Sequence, residues 1–179
     1  MDLKKLKLGA HIPSFNLKGT DGNFYSDSAF SDDKILLVVF SCNHCPYVKA
    51  YEDRLIKLQD EYRDKGLVVL AINSNDDLNY PEDSFENMRA RSEEKSFNFI
   101  YLRDDSQEIA KAFGALSTPE IFLFNKQKKL SYIGKIDDNW SNPLAVNKQY
   151  LRDAINEIIN NEQVSVPETF AVGCSIKWK

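Results

Sequence analysis

Residues 35–40, ILLVVF, form an unbroken apolar run, and only Ser41 separates it from Cys42-Asn43-His44-Cys45-Pro46. A run of this kind suits a central strand buried on both faces. Proline fits the first turn of a helix. Val48, Tyr51, Leu55, Leu58 and Tyr62 then recur at spacings of three and four, one apolar helical face. Gly66 is placed to end that helix. A cysteine pair delivered from a buried strand to a helix start points to a fold that interleaves strands and helices.

The rest of the pattern agrees. Residues 15–25, FNLKGTDGNFY, read as a hairpin around Asp21-Gly22. Residues 67–72, LVVLAI, read as a second buried strand, and 73–83 as a polar loop. Ser84 opens a helix to about Glu94, Phe97 to Leu102 is a strand, and Ser106 to Phe113 is a short helix closed by Gly114. Ile121 to Phe124 and Leu130 to Ile133 pair across a turn, and Leu151, Ala154, Ile155, Ile158 and Ile159 line a final helix. Alternating strands and helices give parallel pairs, and the closing hairpin makes the sheet mixed.

At 179 residues the expectation is one α/β domain over 1–179, with a core over 8–160 and an extended C-terminal arm over 161–179. Phe170, Val172, Cys174, Ile176 and Trp178 alternate along the arm, so these five are expected to face the domain. A net charge of −4 leaves no basic footprint for nucleic acid. No apolar run approaches the ~18 residues of a membrane span. Neither nucleic acid nor membrane is expected as a partner. The first fifteen residues, MDLKKLKLGAHIPSF, lack the apolar stretch of a signal peptide. The expected location is cytoplasmic, or periplasmic if a signal peptide was removed.

Three cysteines are too few, and odd in number, for a disulfide scaffold. At a helix N-terminus the dipole and free N–H groups favour the thiolate, the reactive form of cysteine. Cys42, just ahead of the helix, is expected to be the more exposed sulfur and the nucleophile, titrating below the ~8.5 of a free thiol. Cys45 is expected to resolve the mixed disulfide, and His44 to tune the pair. A structural zinc site wants four ligands. There is no second Cys-x-x-Cys, and His11 and His44 are the only histidines. Thiol–disulfide exchange without a bound cofactor or metal is therefore expected, with protein or small-molecule disulfides and thiols as partners and a dithiol protein as electron donor. A Cu(I) carrier held by Cys42, Cys45 and Cys174 is the competing class. Cys174 reads either as a packed small hydrophobe or as a third redox thiol. Asp137-Asp138-Asn139-Trp140 reads as a solvated capping loop, and Asn73-Ser74-Asn75-Asp76 as a wall at the carboxyl edge of the sheet.

The segments LLVVFSCNHCPYVKAYEDRL, PEDSFENM, YLRDDSQEIAKAFGALSTPEIFLF, IGKIDD and GCSIKWK resemble the peroxiredoxin-like branch of the thioredoxin-fold superfamily, the AhpC/TSA or redoxin proteins. The resemblance runs from Leu8 to Lys179. It implies a thioredoxin fold with an N-terminal β-hairpin extension. It further implies that Thr118-Pro119 is the cis-proline loop that lines the substrate groove. Two departures stand out. With Cys45 set on the peroxidatic cysteine, the family's threonine and proline positions hold Cys42 and Val38, and Glu120 rather than arginine flanks Pro119. The peroxide-activating set is therefore unmatched, which leaves a peroxide reductase of atypical mechanism as the alternative. The strand before the pair also lacks the buried acid of thioredoxins, so Glu120 or water is expected to move the proton.

Overall fold

The computed structural model describes residues 3–179. Its strands are β1 (Asn16–Gly19), β2 (Phe24–Ser26), β3 (Ile35–Ser41), β4 (Leu67–Asn73), β5 (Ile100–Arg103), β6 (Ser117–Thr118), β7 (Glu120–Phe124), β8 (Leu130–Gly134) and β9 (Cys174–Ser175). Its α-helices are α1 (Pro46–Tyr62), α2 (Phe85–Glu94), α3 (Glu108–Phe113) and α4 (Tyr150–Ile159). Among the described residues no helix is long and apolar enough to cross a membrane.

Seven strands form one mixed sheet in the order β2-β1-β5-β4-β3-β7-β8. β3 sits inside it, parallel to β4 from Ile35↔Leu67 to Ser41↔Asn73 and antiparallel to β7 from Leu36↔Phe124 to Phe40↔Glu120. All seven β3 residues are buried, as the unbroken apolar run requires. Alternate residues face opposite layers. Ile35, Leu37 and Val39 pack with Tyr51, Leu55 and Leu58 of α1, Met88 of α2 and Ile155 of α4. Leu36, Val38 and Phe40 pack with Phe113 of α3, and Phe40 meets Phe113 and Phe122 edge-on. The β1–β2 hairpin extends the sheet, with β1 antiparallel to β5. A mixed sheet with helices on both faces and an N-terminal hairpin is the architecture expected.

Several boundaries and placements differ from expectation. β5 begins at Ile100 rather than Phe97, because Ser96 takes a positive φ of 52° and Phe97 stacks on Phe99 instead of pairing. α3 begins at Glu108, because Gln107 is held at φ 62°. Asp137 is not solvated: it is buried and accepts hydrogen bonds from Tyr51 Oη at 2.8 Å and Arg54 Nη1 at 2.6 Å. In the arm, Phe170 is 92% exposed and Val172 is exposed too, so the alternation does not hold from its start. Thr169 explains this. Its hydroxyl turns inward to Tyr132 Oη and the Lys135 N–H, which sends Phe170 outward. The inward phase resumes at Cys174 and Ile176.

Candidate active site

The parallel strands β3 and β4 end side by side, and the chain leaves β3 directly into the cysteine pair. Cys45 is the N-cap of α1 and Pro46 its first residue. On the other side of β3, the antiparallel partner β7 starts at Glu120, so the segment before it lies against the pair. That segment holds a cis peptide bond between Thr118 and Pro119. Cys42 Sγ lies 3.4 Å from Thr118 Oγ1, and Cys45 Sγ lies 3.3 Å from the Thr118 carbonyl, to which it donates while protonated, a bond given up when Cys45 ionises. The structure thus brings Cys42, Cys45, Thr118 and Pro119 to one place.

Cys174 joins them. β9 pairs antiparallel with β6, Thr118 opposite Cys174, and the Cys174 and Cys45 sulfurs are hydrogen-bonded at 2.8 Å. All three cysteines are free thiols. Cys42 and Cys45 are buried, at 2% and 0% exposure, whereas Cys174 is half-buried. The expectation that Cys42 is the exposed, low-pKa sulfur is corrected in both respects. Thr118 lies against Cys42, and the negative charge is best held on Cys45. Hydrogen bonds from the Cys42 thiol, from the Cys174 thiol and from the backbone N–H groups of Val48 and Cys174 converge there. Against the opposing cost of burial they hold its pKa down to about 4. Cys42 is pushed up, first by its hydrogen bond to Cys45 and then by burial, with Thr118 opposing. Cys174 is pushed up to about 11, by burial and then by its bond to Cys45.

Since the folded Cys45 pKa lies below the ~8.5 of an unfolded thiol, one thiolate should persist as pH falls from about 8.5 to about 4 and disappear below that. The check is the ultraviolet thiolate absorbance against pH. Cys45→Ser is expected to abolish the low-pH thiolate and Cys42→Ser to retain one; the reverse pattern would restore Cys42 as its carrier.

His44 lies beside the pair with Nδ1 2.7 Å from Asp83 Oδ2, and its ring stacks on Tyr80 at 5.7 Å. Asp83 is the residue of this site that sequence reasoning missed. It is fully buried and accepts from the Asn43 N–H at 2.6 Å, Asn73 Nδ2 at 3.1 Å and Asn75 Nδ2 at 2.8 Å. Tyr101 Oη donates to Asn43 Oδ1 at 2.8 Å, and burial raises its pKa. The buried acid near the cysteines therefore comes from the loop before α2, not from β3. Glu120 is otherwise engaged, accepting from the Leu116 N–H at 2.8 Å and paired with Lys5. Asn73 to Asp76 do form a wall, and Asn75 also receives the Lys177 N–H of the arm. His11, on the far hairpin, is exposed and apart from the site. Donor atoms of Cys42, His44 and Asp83 lie within 4.8 Å of one another. They are chemically able to hold a metal ion, although Asp83 already serves three hydrogen-bond donors.

The ring nitrogen of His44 lies 2.7 Å from Asp83 Oδ2 and so compensates the carboxylate whose field pushes the Cys42 pKa up. His44→Pro removes that compensation and makes a thiolate at the pair less stable, so the disulfide form gains. The expected result is a reduction potential more negative by tens of millivolts, where ~30 mV is about 1.4 kcal/mol. A potential unchanged or more positive would rule out tuning by His44.

Comparisons with known proteins identify the fold and the family. A structure of an uncharacterized conserved protein from Geobacillus kaustophilus superposes with a TM-score of 0.92 at 38% identity, covering 100% of this chain and 96% of that one. The thioredoxin domain of a thiol-disulfide oxidoreductase from Bacteroides vulgatus superposes at 0.65 with 20% identity, covering 78% and 96%. The fold is therefore the thioredoxin fold. Among curated proteins, probable glutathione peroxidase 5 of Arabidopsis thaliana is 26% identical over 127 residues, 69% of this chain and 68% of that protein. The Redoxin family model matches residues 7–150, which spans the sheet, the cysteine pair and the cis-proline loop, and the chain belongs to the Redoxin family.

Proposed function

We propose that the protein is a thiol–disulfide oxidoreductase whose working couple is Cys42–Cys45. One observation carries the reading. Two cysteines sit packed together at a strand-to-helix junction, each within hydrogen-bond reach of the residue before the cis-proline. Such a pair exchanges electrons by forming a mixed disulfide on one sulfur, which the other displaces. As the pair is oxidised the substrate disulfide is reduced to two thiols, so the exchange balances between the two with no bound cofactor. Electrons come from another dithiol, and the substrates are protein or small-molecule disulfides. His44 tunes the pair, and Thr118 with Pro119 lines the groove beside it.

Limited oxidation with oxidised glutathione, followed by peptide mapping, tests the reading. The expected product is a Cys42–Cys45 disulfide that dithiothreitol reverses. Oxidation that leaves Cys42 unpaired would overturn it. A Cu(I) carrier is separated by metal analysis of protein purified with its thiols reduced, where stoichiometric copper is the outcome against exchange.

A peroxide reductase is the second reading, favoured by the curated relative and by the thiolate at Cys45. Two features oppose it: Cys45 is fully buried, and no arginine flanks Pro119. Hydrogen peroxide is therefore expected to oxidise the protein no faster than an ordinary low-pKa thiol. Stopped-flow oxidation at peroxidase-like rates would promote the second reading over the first.

A further inference from the structure

The C-terminal arm is built onto the cysteine site by contacts of its own. It first runs along β8, where Ile133 and Thr169 exchange backbone hydrogen bonds with the 167–169 segment and β8. It then crosses the carboxyl edge of the sheet. Gly173 rests on the cis-proline loop so closely that a Cβ there would stand 2.1 Å from the Thr118 carbonyl oxygen. Cys174 and Ser175 pair with Thr118 and Ser117, and the Ile176 N–H donates to the Leu116 carbonyl at 3.0 Å. Ile176 is buried, and the Lys177 backbone is held by Asn75, Asp76 and Gln107.

This is the geometry by which an extended peptide adds to a free strand edge. The arm takes up the backbone edge of Ser117–Thr118 that an extended protein substrate would need, and it sets its own sulfur against Cys45. A low-molecular-weight disulfide needs no strand edge. It needs one accessible sulfur, and of the three cysteines only Cys174 is not buried.

We propose that Cys174 is the outer thiol of a three-sulfur relay, and that its substrates are low-molecular-weight disulfides rather than extended protein segments. The proposal rests on the Cys42–Cys45 reading and adds the route into it. In the reducing direction Cys174 attacks the disulfide R–S–S–R as its proton passes to Cys45 Sγ 2.8 Å away, so that no free Cys174 thiolate forms beforehand. The R–S–S–R bond breaks, a Cys174–S–S–R bond forms, and one thiolate leaves and takes the proton back from Cys45. Cys45, again a thiolate, attacks Cys174 Sγ, forms the Cys45–Cys174 disulfide and expels the second RS⁻. Cys42 passes its proton to that RS⁻ and attacks Cys45 Sγ, forming the Cys42–Cys45 disulfide and releasing the Cys174 thiolate, which takes a proton from solvent. That proton balances the one Cys45 lost to solvent as the resting thiolate. In sum two electrons pass from Cys42 and Cys45 to the substrate, which leaves as two thiols. With a thiol in excess each step reverses.

The test uses oxidised glutathione as probe. In Cys42→Ser the relay stops one step early, so a Cys45–Cys174 disulfide should accumulate on peptide mapping. In Cys174→Ala the Cys42–Cys45 disulfide should still form, but about tenfold or more slowly. Gly173→Ala keeps all three thiols while forcing the strand off the loop, and it should slow the reaction in the same way. Glutathione on Cys45 of Cys42→Ser with no Cys45–Cys174 bond overturns the relay. So does a Cys174→Ala or Gly173→Ala protein that oxidises as fast as the parent or faster, since the arm then only shields the pair. In either case the Cys42–Cys45 reading stands. That reading alone fails if the parent protein stops at Cys45–Cys174 and never forms Cys42–Cys45. Should Cys174→Ala fail to fold, the Cys42→Ser mapping, which keeps Cys174, still decides.

Discussion

Cys45→Ser is expected to abolish catalysed disulfide exchange, by on the order of 10³-fold or more. Cys45 packs with Cys42 and lies 2.8 Å from the Cys174 sulfur, so every intramolecular disulfide the site forms by adjacent exchange includes it. It also carries the stabilised thiolate. Cys42→Ser removes only the last thiol of the exchange, the one that displaces Cys45 from its first disulfide. That variant should still react once with a disulfide but fail to turn over. The measurement is reduction of oxidised glutathione by dithiothreitol, read under single-turnover and multiple-turnover conditions. Single-turnover reactivity retained in Cys45→Ser and lost in Cys42→Ser would reverse the two roles.

The second large effect is predicted at Asp83. Removing its carboxylate in Asp83→Ala leaves the Asn43 N–H and the Asn75 side-chain amide without their acceptor and the Asn73 amide with Tyr101 Oη alone. Each buried donor left unsatisfied costs about 1–3 kcal/mol. The sum is set at about 3–5 kcal/mol, because the amides partly find each other. For a domain of this size that is a fall in melting temperature of roughly 6–20 °C. Asp83→Asn keeps one acceptor oxygen and should lose markedly less. Equal melting temperatures for Asp83→Ala and the parent protein would show that the loop relaxes without cost. A role confined to stability is separated from one at the cysteines by the reduction potential of the Asn variant. It should shift if the carboxylate field reaches Cys42.

What the sequence made legible was what short-range periodicity encodes. ILLVVF became β3, and the three-four spacing from Val48 to Tyr62 became the buried face of α1. The pair was legible as the junction between them. Distant contributions were not. Asp83 lies some forty residues from Cys42 and reaches it only because β4 runs parallel to β3 and returns the chain to the same edge. Nothing local at Pro81-Glu82-Asp83 distinguishes a helix-capping acid from a buried one. Alternation in the arm correctly put Cys174 and Ile176 inward, but it carried Phe170 along, because Thr169 spends the inward direction on a hydroxyl. The sulfur that holds the charge was misassigned for a similar reason. Helix position favours Cys42 and Cys45 alike, whereas the hydrogen bonds that decide between them come from Cys174, some 130 residues on.

The reduction potential of the Cys42–Cys45 couple, equilibrated against glutathione, tests the central claim most directly. A working exchange couple should lie roughly between −120 and −270 mV, with Cys42 and Cys45 appearing together as the oxidised pair on mapping. A pair that resists oxidation across that range contradicts the account, and so does one whose disulfide is reduced only below about −300 mV, as structural disulfides are.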